Sequence, residues 1–190
     1  MKKLVILIIL IAVPSLSLAQ EELIDKGPSS TQLESFLSRK GRLMVKDFYR
    51  LGETFGEGRT SIIFDAIVIS EPGLQNKKIK GIRIEINEGG RLERKTFSFL
   101  DLEEVEGLSK AIDYIIELAE KWKGVEREPY TEVSYSSKSN FTVGFFQKEK
   151  ERSGFVKNGV AGSASLFIET ERFIMLKKML DKGIMTLAGK

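Results

Sequence analysis

Two stretches sixty-eight positions apart constrain this fold more than any other feature: FLDLEEVEGLSKAID from Phe99 and FIETERFIMLKKMLD from Phe167. Each runs phenylalanine, aliphatic, acid, any residue, glutamate, and each later places Leu, Lys and Asp at the same offsets. In both, a strand-like run passes directly into a helical pattern. The acid, Asp101 or Glu169, therefore lands at the positive end of a helix, where a carboxylate is favoured. In the first copy Asp101 and Glu104 form a capping box. Val105, Leu108, Ile112, Ile115, Ile116, Ala119 and Trp122 then share one helical face, with Glu106 to Lys110 and Glu117 to Lys121 pairing on the other. The second copy starts its helix at Glu169 or Thr170, with Phe173, Leu176, Leu180, Ile184 and Leu187 inward and Met175 and Met179 widening the face. Phe99 and Phe167 are expected to fill the space beneath their corners.

Strand patterns precede both corners. RLMVKDFYRL sets Leu43, Val45 and Tyr49 on one face, and the glycine-bearing GETFGEGR reads as a loop. SIIFDAIVIS (61–70) is apolar on both faces, which suits a central strand covered on both sides. In KIKGIRIEI, Ile82, Ile84 and Ile86 alternate with Gly81, Arg83 and Glu85, and Asn87-Glu-Gly-Gly90 turns the chain onto RLERKTFSFL. After the linker GVEREP, the second unit repeats the order: YTEVSYSS, NFTVGFFQK, a charged tip EKERS, GFVK, an Asn158-Gly159 hairpin turn, and VAGSASLFI. Thr31 to Glu34 spells another capping box, for a brief helix ending near Gly41. The expected fold is α+β: two successive ββββα units, antiparallel strands with two long helices packed on one face, and a short N-terminal helix.

The chain opens MKKLVILIILIAVPSLSLAQ. A basic start, an apolar run from Leu4 to Val13 and Ser17-Leu18-Ala19 before Gln20 make a secretory leader, with an apolar run too short for the ~20 residues of a span. The expected division is a leader over 1–19, a polar tether over 20–30, and one α+β domain over 31–190 with units at 42–123 and 129–190. The expected address is periplasmic or extracellular, with no span left after cleavage. Removing Lys2 and Lys3 lowers the net charge from +3 to +1, which argues against a protein built to hold polyanions. There are no cysteines, so stability must come from packing.

The chain also has no histidine, which with the missing cysteine removes Ser-His-Asp and Cys-His catalysis and the metal sites built on those ligands. No phosphate-cradling, dinucleotide or calcium-loop motif is present, so neither cofactor nor metal is expected. A carboxylate pair such as Glu85 and Glu132 is conceivable for a small hydrolase, but strand alternation turns both toward solvent. Asp65 interrupts an apolar strand and, if buried, needs a partner. Lys77, Lys78, Lys80 and Arg83 are the densest basic run, and Tyr130, Tyr135, Phe141, Phe145, Phe146 and Phe155 put aromatics in the second unit's strands. Basic grooves beside aromatics bind single strands, whereas core packing is the ordinary use of phenylalanine.

By element order alone, two ββββα units resemble the Whirly and PUR-alpha single-strand-binding folds. That resemblance spans most of the chain after the leader and implies single-stranded nucleic acid as the ligand, through Lys77, Lys78, Lys80 and Arg83. The residues themselves favour an exported, non-enzymatic protein binding a partner protein or a small ligand, with Asp65, Tyr130, Tyr135 and Phe145 as candidate contacts. Nothing in the pattern specifies an oligomeric state.

Overall fold

The computed structural model describes residues 30–58, 60–73, 78–89, 94–159 and 164–190. The expected leader, the expected tether apart from Ser30, and Lys77 lie outside them. Helix α1 (Gln32–Leu37) is followed by strands β1 (Val45–Phe55), β2 (Ser61–Ser70), β3 (Ile79–Glu88) and β4 (Arg94–Asp101), then helix α2 (Leu102–Lys121). Strands β5 (Arg127–Ser136), β6 (Phe141–Glu149), β7 (Glu151–Asn158) and β8 (Ser165–Ile168) lead through a 3-10 turn (Thr170–Arg172) into helix α3 (Phe173–Ala188). The strands form two antiparallel four-stranded meanders, β1-β2-β3-β4 and β5-β6-β7-β8. Each sheet therefore ends in its helix, as the paired corners require.

The inner faces and the two helices make one core. Ile62, Phe64, Ala66 and Val68 of β2, Ile82, Ile84 and Ile86 of β3, and Phe141, Val143 and Phe145 of β6 pack with Val105, Leu108, Ile112 and Ile115 of α2 and Phe173, Leu176 and Leu180 of α3. Helix α2 touches both sheets, and α3 lies across β1, β2 and β3. A smaller cluster forms where α1 lays Leu33 and Phe36 on Ile67 and Ile69, the opposite side of β2. That second cover explains why β2 is apolar on both faces. None of the described helices is long and apolar enough to cross a membrane.

Four local expectations need correction. GETFGEGR is not all loop, because β1 continues to Phe55: Leu51 is an extra residue between the pairs Arg50 with Asp65 and Gly52 with Phe64. That bulge lets both Leu51 and Gly52 serve the inner side, so the strand survives a glycine. Leu43 and Val45 remain exposed, while Tyr49 farther along the strand packs against the core and carries Lys190 Nζ 4.5 Å above its ring. Phe167 does not sit beneath its corner: it pairs with Phe155 and points outward, 48 % exposed, while Leu166 and Ile168 on either side are buried. Met175 is likewise exposed, and Gly183 takes a buried place on α3.

Cross-unit contacts come in matched pairs. Ser109 Oγ of α2 donates to Asp181 Oδ1 of α3 at 2.7 Å, and Lys177 Nζ of α3 lies 3.5 Å from Asp113 Oδ2 of α2. Residues 109 and 177, and 113 and 181, are each separated by the sixty-eight positions of the paired corners. Hairpin tips follow the same rule. The β1–β2 tip donates Glu57 N to the Phe167 carbonyl at 3.1 Å, while Ser98 Oγ of β4 donates to the Ser139 carbonyl at the β5–β6 tip, also at 3.1 Å.

Candidate binding surface

On the face of the second sheet turned away from the helices four aromatic rings collect, Tyr130 and Phe167 exposed, Phe146 half-buried and Phe155 buried. Register places them there. In β6, Phe141, Val143 and Phe145 point inward, so Thr142, Gly144 and Phe146 must point outward. Phe146 pairs with Glu132 of β5 and Ser153 of β7; Phe155 pairs with Gly144 on one side and Phe167 on the other. The outward set from edge to edge is thus Tyr130, Phe146, Phe155 and Phe167.

These rings touch. Tyr130 and Phe146 stack with centroids 5.6 Å apart, Phe146 and Phe155 at 6.5 Å, and Phe167 meets Phe146 edge-on at 6.2 Å. Lys157 holds its ammonium 4.4 Å from the Phe155 centroid. Together with Glu132 and Lys157 the four rings line a shallow, mainly apolar cleft of about 300 Å³. Tyr130 is 59 % exposed, so the cleft is open rather than enclosed. Gly144 lies in the same face, and a Cβ there would overlap the Val133 carbonyl oxygen. Its missing side chain lets β5 approach and leaves the floor between the rings flat.

The sequence candidates divide between the two sheets and two faces. Phe145 is a core residue in edge contact with Trp122 at 5.5 Å. Tyr135 points inward as well, packed over Gly107 of α2; burial, then the nearby Glu104 carboxylate, raises its phenol pKa. Of the expected ligand contacts Tyr130, Tyr135 and Phe145 only Tyr130 belongs to the cleft, joined there by Phe146 and Phe155 of the strand aromatics and by Phe167, expected beneath its corner.

Asp65 is 2 % exposed and fully engaged: Arg50 Nε reaches Oδ1 at 2.7 Å and Arg83 Nη2 reaches Oδ2 at 2.6 Å. Glu85 lies 3.8 Å from the same Arg83 nitrogen. The Arg83 guanidinium is held between Phe48 and Phe97, 4.6 and 5.4 Å from their centroids. This is a cross-strand ion-pair network on the outer face of the first sheet. Glu132 belongs to the other sheet, so the carboxylate pair considered for hydrolysis is not gathered in one cleft; Glu85, expected to face solvent, is instead only 8 % exposed because it sits in this network.

Alternation also divides the basic run. Arg83 points outward on β3, whereas Lys78 and Lys80 donate to the carbonyls of Lys190 and Leu187, each at 3.2 Å. They serve the negative end of α3. No continuous basic groove joins these described residues.

Two polar knots brace the scaffold from within. The Asp101 carboxylate accepts from Gln32 N at 2.7 Å and Leu33 N at 3.0 Å, so it caps α1 as well as opening α2. Glu104 reaches back to Asp101 N at 3.2 Å and accepts from Lys138 N at 2.7 Å. Burial raises its pKa despite those hydrogen bonds. Asn158, fully buried, joins the sheets through Ser98 Oγ and the Ile84 carbonyl. Among the described residues no group of three or more acids is placed to hold a metal ion.

No protein-family model, no curated protein and no solved structure matches this chain, so its topological resemblance to the single-strand-binding folds rests on element order alone.

Proposed function

We infer that the protein is an exported, non-enzymatic binding protein whose working surface is the aromatic cleft of the second sheet. The observation that carries this reading is the contiguous contact of Tyr130, Phe146, Phe155 and Phe167 on a sheet face that no described element covers. Tyr130, 59 % exposed, and Phe167, 48 % exposed, leave apolar surface in water beside the half-buried Phe146 and the buried Phe155, and exposed apolar patches mark interaction sites. The cleft, at about 300 Å³, falls at the lower end of small-ligand sites. A stable protein partner would need an interface above ~1,000 Å², more than a four-ring patch supplies. The occupant is therefore a small molecule with a planar ring, stacked on Phe146 and Phe167 and oriented by Glu132 and Lys157. Export rests on the leader-like start of the chain. The reciprocal Ser109–Asp181 and Lys177–Asp113 contacts support treating the two ββββα units as an internal duplication in which the second sheet acquired the cleft.

Calorimetric titration with indole and with a mononucleotide tests the reading. A ring-binding cleft gives saturable binding that a Tyr130→Ser, Phe167→Ser double variant weakens at least about tenfold, or ~1.4 kcal/mol. Equal binding by the double variant sinks the proposal. Binding of oligonucleotides that falls steeply with salt would replace it with the single-strand reading.

A further inference from the structure

A second cavity lies on the other side of the same sheet, between the end of α2 and the turn that starts α3, with a volume near 260 Å³. Gln147 lines it and is 1 % exposed. Its Nε2 donates to two carbonyls, Val125 at 2.6 Å and Glu149 at 3.1 Å. Rotating the amide would set its oxygen against both carbonyls, so the orientation is settled by its neighbours. The atom left over, Oε1, is buried without a partner among the described residues. A buried acceptor left unmatched is costly, and what completes it must be a hydrogen-bond donor.

The rest of the wall says which donor. Trp122 supplies an apolar side, Glu169 and Glu171 supply negative charge, and Lys123, Lys150 and Arg152 supply positive charge. Arg152 Nη1 already donates to the Ala119 carbonyl, which fixes its guanidinium at the α2 terminus. The other charges are loosely committed: Lys123 to Glu120 at 3.9 Å, Lys150 to Glu126 at 3.5 Å and Glu169 to Arg172 at 3.8 Å, all exposed. Pairs this long and wet exchange readily for a ligand. We propose that the cavity is a site for a small zwitterion, a free amino acid or a close analogue. Its ammonium group would donate to Gln147 Oε1, with Glu169 and Glu171 in the same wall to balance its charge, and its carboxylate would meet the loosely held Lys123 and Lys150. This site stands independently of the aromatic cleft, which uses the opposite face of β6.

Trp122 is the one tryptophan in the chain, so its fluorescence reports this cavity directly. The probes are L-alanine and L-leucine, each beside an analogue without the amine (propionate, 4-methylpentanoate) and one without the carboxylate (ethylamine, isoamylamine). The proposal requires a saturable change below about 10 mM for at least one amino acid, weakened at least tenfold in both truncated analogues. Gln147→Leu should abolish it. Because that change also removes two structural hydrogen bonds, the exposed Lys150→Ala and Glu169→Gln variants are measured too, and each should weaken binding several-fold. No saturable response to either amino acid, an analogue that binds as well as its parent, or unchanged affinity in both surface variants overturns the assignment.

Discussion

Replacing Asp65 separates a structural acid from a functional one. The carboxylate is almost fully buried and accepts two short bonds from guanidinium groups, 2.7 Å from Arg50 and 2.6 Å from Arg83. Asp65→Ala removes both and leaves the Arg83 charge, whose side chain is 22 % exposed, between two phenylalanine rings. Breaking a buried pair by deleting one partner costs about 3–5 kcal/mol. Arg50 is 56 % exposed and can rehydrate, so the lower end, about 3 kcal/mol, is expected here. The deleted side chain is small, so packing loss adds little. A paired change, Asp65→Leu with Arg83→Met, removes the stranded charge and should recover all but about 1 kcal/mol, since apolar replacements of buried pairs are close to neutral. Urea denaturation followed by far-ultraviolet circular dichroism measures both, with the slope checked for constancy. A loss below about 1 kcal/mol for Asp65→Ala, or no recovery in the paired variant, refutes the structural reading and returns Asp65 to the list of functional acids.

Four further outcomes follow from the same geometry. Phe167→Ser and Tyr130→Ser each lose a ring contact with Phe146 and should cost about 0.5–1.5 kcal/mol in urea melts, well short of unfolding the protein. Gly144→Ala drives a Cβ into the Val133 carbonyl and should cost about 2 kcal/mol or more in the same melts. Glu104 has its pKa raised from an ordinary 4.5, so the folded state binds the proton more tightly than the unfolded chain. Its contribution is present below pH 4.5 and lost as pH rises through the folded value, and Glu104→Gln should remove that part of the pH dependence. Asp181 behaves oppositely: burial pushes its pKa up, but hydrogen bonds from Lys177 and Ser109 outweigh that and lower it from 3.8. Its contribution holds above pH 3.8 and disappears as pH falls through the lower folded value, which Asp181→Asn should abolish in an acid titration.

Element order was legible because local chemistry sets it. Asp101 with Glu104, Thr31 with Glu34, and the Ile82, Ile84, Ile86 alternation are all short-range signals, and each occurs where its pattern points. Function depended on strand phase, and there one residue decides. Phe145 and Phe146 are neighbours, so one must face the core and the other solvent; nominating Phe145 chose the buried member. The signal that separates them was present, since Val143 shares the phase of Phe145 and Thr142 and Gly144 share that of Phe146. The same arithmetic sends Arg83 outward and Lys80 to the α3 terminus. Other features have no local signature. The Asp101 carboxylate caps a helix 68 residues upstream, and the Gln147 amide is set by Val125, 22 residues away. Such partners become visible only once the chain is folded.

Amide and aromatic-ring chemical shifts of the wild-type protein, recorded by NMR during titration with indole, test the central claim most directly. Saturable shifts centred on Tyr130, Phe146, Phe155 and Phe167, with Asp65 and Arg83 on the other sheet unmoved, are the predicted result. Shifts centred on the Asp65–Arg83 face, or no saturable shift on either sheet, would contradict it.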